Sequence, residues 1–104
     1  MGYVYLICDP SLDSFKIGVT SKNIKDRIKK LQTGNAEELF ISSFYECEYP
    51  FRLEKMLHTK YANKRMHGEW FSLSSHDIGQ FRNICKELCD IIECIKQNPF
   101  IKLK

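Results

Sequence analysis

Residues 14–34, SFKIGVTSKNIKDRIKKLQTG, change their hydrophobic period partway along, and that change constrains the architecture more than any other stretch. Phe15, Ile17 and Val19 alternate with Lys16 and Gly18, the two-residue period of a half-buried strand. Asn23 then offers a side-chain oxygen to the unpaired N–H groups of a helix start. Ile24, Ile28 and Leu31 follow at helical spacing, with Gly34 as the stop. A strand that feeds directly into a helix belongs to a small sheet with helices laid on it better than to a sandwich. The same stretch is strongly cationic. Lys16, Lys22, Lys25, Arg27, Lys29 and Lys30 stand against Asp26 alone, a local charge of +5 in a chain whose total is +3. Such a concentration, beside a glycine that lets another backbone approach, suits a phosphate.

The flanking segments fit the same plan. Residues 3–8, YVYLIC, are an aromatic and β-branched run of strand length ending at Asp9-Pro10. The polar stretch to Ser14 reads as a turn, so this run and residues 15–19 are expected to form an antiparallel hairpin with Tyr5 next to Lys16. Tyr3 and Tyr5, two residues apart, share a face. Residues 39–48, LFISSFYECE, read as a third strand, and either of its faces could be the buried one. Pro50 suits the first turn of a second helix, along which Leu53, Met56, Leu57 and Tyr61 form an apolar stripe. Glu54 and His58, four residues apart, share a face beside that stripe. Residues 52–69 hold five cations against Glu54 and Glu69.

Met66 to Phe71 reads as a turn entering a short apolar piece, with Trp70 and Phe71 sealing the core. Ser74 or Ser75 caps a last helix over 76–97, striped by Ile78, Phe81, Ile84, Cys85, Leu88, Ile91, Ile92 and Ile95. Three cations and four anions leave that helix at −1, so the positive field belongs to the first two-thirds of the chain. The fold class expected is α/β (α+β): a small three-stranded antiparallel sheet flanked by helices. Residues 1–73 form its core, 74–98 a helix packed on the same domain, and 99–104 a basic tail.

Length and composition exclude several classes. A chain of 104 residues accommodates one modest core. No apolar run approaches the ~20 residues of a membrane span, and the N-terminus lacks a signal-peptide pattern. Five cysteines, at 8, 47, 85, 89 and 94, are an odd number without a C-x-x-C pair. They read as reduced thiols of an intracellular compartment, cytoplasm or nucleus, with Cys85, Cys89 and Cys94 better suited to buried helix positions than to zinc. The pI of about 8.6 lies below the ~9 typical of dedicated nucleic-acid binders, so the distribution of charge is more informative than its total.

A tyrosine-bearing strand, a KIG strand, an arginine on the next helix and a glutamate on a later one occur here in a recognisable order. In that order the chain resembles the GIY-YIG nuclease superfamily, in its short branch found in phages, large DNA viruses and fungal meiotically up-regulated proteins. Tyr3-Val4-Tyr5 takes the place of GIY and Lys16-Ile17-Gly18 that of YIG. Arg27 matches the family's catalytic arginine and Glu54 its metal-binding glutamate. The run Glu54-x-x-Leu57-His58, followed by Gly68-Glu69-Trp70-Phe71, is the most specific part. The chain departs from the family pattern in four places. Its first glycine is displaced to Gly2, Lys16 replaces a tyrosine, and Leu31 stands where many relatives have histidine or tyrosine. No asparagine matches the family's late one.

The resemblance implies a metal-dependent endonuclease of GIY-YIG type that cleaves DNA, duplex or branched, with RNA as an alternative substrate. Glu54 would hold Mg²⁺ or Mn²⁺, and Arg27 would present fixed N–H donors to a phosphate oxygen. Lys16 or Tyr5 would take the proton of the attacking water. Side chains with reference values near ~10 must be depressed by about three units to do so at neutral pH. His58, one turn from Glu54, would orient a metal-bound water or a phosphate. Lys22, Lys25, Lys29 and Lys30 would bind the nucleic-acid backbone. Specificity is expected to be weak unless a protein partner or nucleic-acid structure supplies it. The rival expectation, motivated by Leu31 and the missing asparagine, is a nucleic-acid-binding module of this fold that does not cut.

Overall fold

A computed structural model describes residues 1–97; the basic tail expected at 99–104 lies outside the described residues. In chain order the elements are β1 (Gly2–Asp9), β2 (Ser14–Thr20), α1 (Ile24–Thr33), β3 (Phe40–Cys47), α2 (Pro50–Lys60), β4 (Arg65–His67), β5 (Trp70–Phe71) and α3 (Ser75–Gln97). A single 3₁₀ turn over Ala62–Lys64 links α2 to β4. The α+β class and the antiparallel sheet agree with the sequence reading. The sheet has five strands rather than three, in the order β3-β1-β2-β5-β4. The added β4 and β5 are three and two residues long, and Gly68, at φ 53°, makes the turn between them.

Local signals set the element ends. The Asp9 carboxylate accepts hydrogen bonds from the Ser11 N–H and hydroxyl, which shapes the hairpin turn between β1 and β2. Asn23 Oδ1 accepts from the Lys25 N–H at 2.8 Å and caps α1 as expected. Gly34 follows α1 without entering the left-handed region, at φ −91°. Pro50 occupies the first turn of α2, where its missing N–H has no helical partner to lose. Ser74 and Asp77 exchange bonds at the start of α3: the Asp77 N–H donates to Ser74 Oγ and the Ser74 N–H to Asp77 Oδ2.

Strand alternation gives the sheet two covered faces. Val4, Leu6, Phe15 and Ile17 meet Leu53 and Leu57 of α2, Phe71, and Phe81, Cys85 and Ile92 of α3 in one buried cluster. At about 1.5–3 kcal/mol for each large apolar side chain buried, this cluster anchors both helices. Tyr5, Ile7 and Leu39 form a second cluster, over which α1 lays Ile28 and Leu31. The two aromatics expected to seal one core divide between the clusters: Phe71 is buried in the first, and Trp70 packs on the second. Neither face of β3 is wholly buried: Cys47 and Tyr45 join the first cluster, while Phe40, opposite Cys8, and Ile41 and Phe44, opposite Ile7 and Tyr5, are exposed. Arg82 of α3 donates to the Phe44 carbonyl at 2.6 Å.

The hairpin register makes the placing of Tyr5 beside Lys16 specific. Tyr5 stands opposite Gly18, and Lys16 stands opposite Ile7, so tyrosine and lysine share a face as diagonal rather than direct neighbours. The helical cysteines are also not uniformly buried: Cys85 is buried, Cys89 half-buried and Cys94 exposed. Among the described residues, no helix is long and apolar enough to cross a membrane.

Candidate functional site

The site forms where β5 ends alongside β2 and α2 crosses that edge. Only Phe15 and Lys16 of β2 pair with β5. At the next residue the Ile17 N–H donates to the Glu69 carbonyl at 3.1 Å, while the Ile17 carbonyl accepts from His58 Nε2 at 2.8 Å. A carbonyl only accepts, so His58 Nε2 carries the hydrogen and the neutral ring leaves Nδ1 as the acceptor. Nδ1 faces Arg65 Nη2 at 3.4 Å. The imidazole also meets the Phe71 ring edge to face, with centroids 5.0 Å apart. His58 is thereby fixed in both tautomer and orientation.

Glu54 lies one turn before His58 on α2 and is half-buried. Among the described residues, none donates a hydrogen bond to its carboxylate or closes an ion pair with it. Burial first and the nearby Glu69 carboxylate second push its pKa above the ordinary value. His58, Lys16 and Arg27 pull the other way. One ligand-capable atom from each of Glu54, His58 and Glu69 lies within 4.8 Å of the others. Lys16 Nζ is 2.9 Å from Glu69 Oε2 and 5.7 Å from the centre of the Trp70 ring.

Arg27 reaches this corner from α1, on the other face of the sheet. Its Nε donates to the Tyr5 hydroxyl oxygen at 3.2 Å. That bond is the main cause raising the guanidinium pKa. Tyr5 itself is only 1% exposed. Its ring lies over Gly18, where an added Cβ would fall 2.6 Å from Tyr5 Cε1. The tyrosine is therefore a buried post on which the arginine is mounted.

Two open clefts meet at this corner. One is lined by Phe51, Glu54, Lys55, His58, Thr59 and Arg65. The other is lined by Thr20, Ser21, Lys22, Arg27, Lys30 and Phe51, with Asp26 as its one acid. The structure thus brings Glu54, His58, Lys16, Arg27 and Tyr5 to one place. It divides the four candidate lysines: Lys22 and Lys30 line a cleft with Arg27, whereas Lys25 and Lys29 are exposed on α1 outside its lining. Leu31 packs into the Tyr5 cluster.

Glu69 and Arg65 were given no role by the sequence reading. The Gly68-Glu69-Trp70-Phe71 run was the available signal for Glu69, because its turn and its pairing with β2 set that carboxylate beside Lys16. Chemically the corner offers two carboxylates and an imidazole next to a fixed guanidinium, an arrangement able to hold a hard cation and a phosphate together. The family model of the T5orf172 domain matches residues 2–95. No curated protein and no solved structure matches the chain.

Proposed function

The chain belongs to the T5orf172 domain family, a nuclease-like, DNA-binding class, and from that premise we propose that it is a metal-dependent endonuclease of GIY-YIG type, cutting phosphodiester bonds in DNA with weak sequence specificity. The observation that carries this reading is Glu54. A half-buried carboxylate whose ionised form is disfavoured by burial and by Glu69, only partly offset by His58, Lys16 and Arg27, and which no donor among the described residues satisfies, is suited to a cation that completes it.

The donor set fits Mg²⁺ or Mn²⁺. Carboxylate oxygens suit both ions, and Glu54 and Glu69 supply them. His58 commits Nε2 to the Ile17 carbonyl, so its part is to hold the edge of the site and to present Nδ1 toward a water or phosphate. Bound between these carboxylates, the cation would supply Lewis-acid stabilisation of the leaving 3′ oxygen and of charge on the phosphate. Arg27 keeps its terminal N–H groups for a non-bridging oxygen, because Nε is taken by Tyr5. Tyr5 acts as a positioning residue through that bond. Lys16 faces the same corner and is assigned as proton acceptor; in its ion pair with Glu69 it lends positive charge instead. Lys22 and Lys30 would seat the flanking backbone, giving strong salt dependence.

A second reading is favoured by one specific observation. The Lys16–Glu69 ion pair occupies the proposed proton acceptor, and Leu31 adds no proton carrier beside it. On that reading the chain binds nucleic acid without cutting it. Nicking of supercoiled plasmid with Mg²⁺ or Mn²⁺ separates the two, comparing the parent, Glu54→Gln and an EDTA control. Cleavage by the parent that disappears in both controls supports the nuclease and Glu54 as its ligand. No cleavage by the parent of plasmid, branched DNA or RNA, alongside retained binding, leaves the non-cutting module.

A further inference from the structure

Phe51 is 63% exposed, and its position is unusual for a scattered surface apolar group. It lines both clefts of the site, the one with Glu54 and His58 and the one with Arg27 and Lys30. Its backbone is held firmly. Pro50, the preceding residue, is buried, and it packs so close to Gly2 that an added Cβ there would fall 2.8 Å from Pro50 Cγ. Three residues on, Glu54 lies on the same side of α2. An exposed apolar ring thus stands on a held backbone one helical turn from the proposed cation ligand, with cationic side chains on the far side of it.

We propose that Phe51 is a stacking platform for an unpaired base next to the phosphate that sits between Arg27 and Glu54. The inference rests on the nuclease reading and deepens it by naming the substrate class: nucleic acid that is single-stranded or locally unpaired at the cut. A base in an intact duplex already has both faces stacked, so it gains nothing from an exposed ring, whereas a free base gains a partner. The charge is complementary as well, since Lys22, Arg27 and Lys30 outnumber Asp26 in that cleft. A strand whose backbone follows Lys22, Arg27 and Lys30 turns a base toward Phe51 only where that base has left its stack.

The test is binding in EDTA, where no cutting occurs, to a labelled single strand and to a duplex of the same length, with 2-aminopurine placed along the single strand. The parent should bind the single strand more tightly and quench the 2-aminopurine at one position. Phe51→Ala should weaken single-strand binding about tenfold and abolish the quenching, while changing duplex binding less than about twofold. Phe51→Tyr should retain both signals. Because Phe51 is exposed, unchanged melting of both variants excludes a folding effect. Equal losses on both substrates, no loss on either, or no binding by the parent would each overturn the proposal. Quenching that persists in a parent unable to nick any substrate would leave the stacking role standing while the nuclease reading fails.

Discussion

The Tyr5 ring occupies the space that a side chain at Gly18 would need, and Arg27 hangs from the Tyr5 oxygen. Gly18→Ala should therefore act at a distance. Pushing the ring away is an overpacking change of about 1–3 kcal/mol, read as a lower urea midpoint. Tyr5→Phe keeps the ring and removes only the oxygen, which should cost about 1 kcal/mol of stability and loosen Arg27. If Arg27 works as proposed, Tyr5→Phe slows nicking while leaving the salt slope of binding unchanged. A Gly18→Ala protein with the parent's midpoint would show that the ring has room after all.

Glu54→Gln should separate stability from activity. Burial and Glu69 raise the Glu54 pKa, so the folded chain holds its proton to higher pH than the unfolded chain does. The sign follows directly. Any contribution Glu54 makes is fully present below its ordinary value of 4.5 and is lost as pH rises through the raised folded value. In EDTA the Gln variant should match the parent near pH 4 and melt above it near pH 8. Nicking should fall by more than about a hundredfold in the same variant. A parent that melts above Glu54→Gln at pH 8 without metal would mean that the carboxylate has a partner in the fold.

Much of this was legible because its signals are local. The Asn23 cap, Pro50 in the first turn of α2 and the alternation of residues 15–19 each act within a few residues, and each element formed where expected. What escaped depends on pairing at a distance. β4 and β5 are too short to show a period, and they exist because β2 offers an open edge. The place of Tyr5 opposite Gly18 is a matter of register, which the hairpin turn sets. Glu69 stood in the most specific run of the resemblance without a role, and only the Gly68 turn puts it 2.9 Å from Lys16. At the site, the family pattern named Arg27 and Glu54, whereas the mounting of one and the unpartnered state of the other appear only in three dimensions.

The four lysines at and before α1 should not be equivalent in binding. Lys22 and Lys30 line the cleft with Arg27, and Lys25 and Lys29 do not. For duplex DNA each lost phosphate contact flattens the plot of log affinity against log salt by about 1. Lys22→Ala and Lys30→Ala are expected to show that change, and Lys25→Ala and Lys29→Ala a smaller one. Equal slopes for all four variants would mean that the whole exposed helix, rather than the cleft, carries the backbone contacts.

Asp77 ties the start of α3 to the segment leading into β4, since its Oδ2 accepts from Lys64 Nζ at 2.5 Å and from the Ser74 N–H at 2.9 Å. The Lys64 bond first, and the Ser74 bonds after it, hold the carboxyl below its ordinary value. A lowered folded value means stability that is present above the ordinary 3.8 and lost as pH falls through the folded value. Asp77→Ala should cost about 1 kcal/mol at pH 7, the usual worth of a helix cap. The gap between variant and parent should narrow below pH 3.8, as the parent's carboxylate takes up its proton. Urea titrations of both proteins at pH 7 and pH 3 measure this. A gap of the same size at pH 3 would show that packing of α3, and not the ionised carboxylate, is what the substitution disturbs.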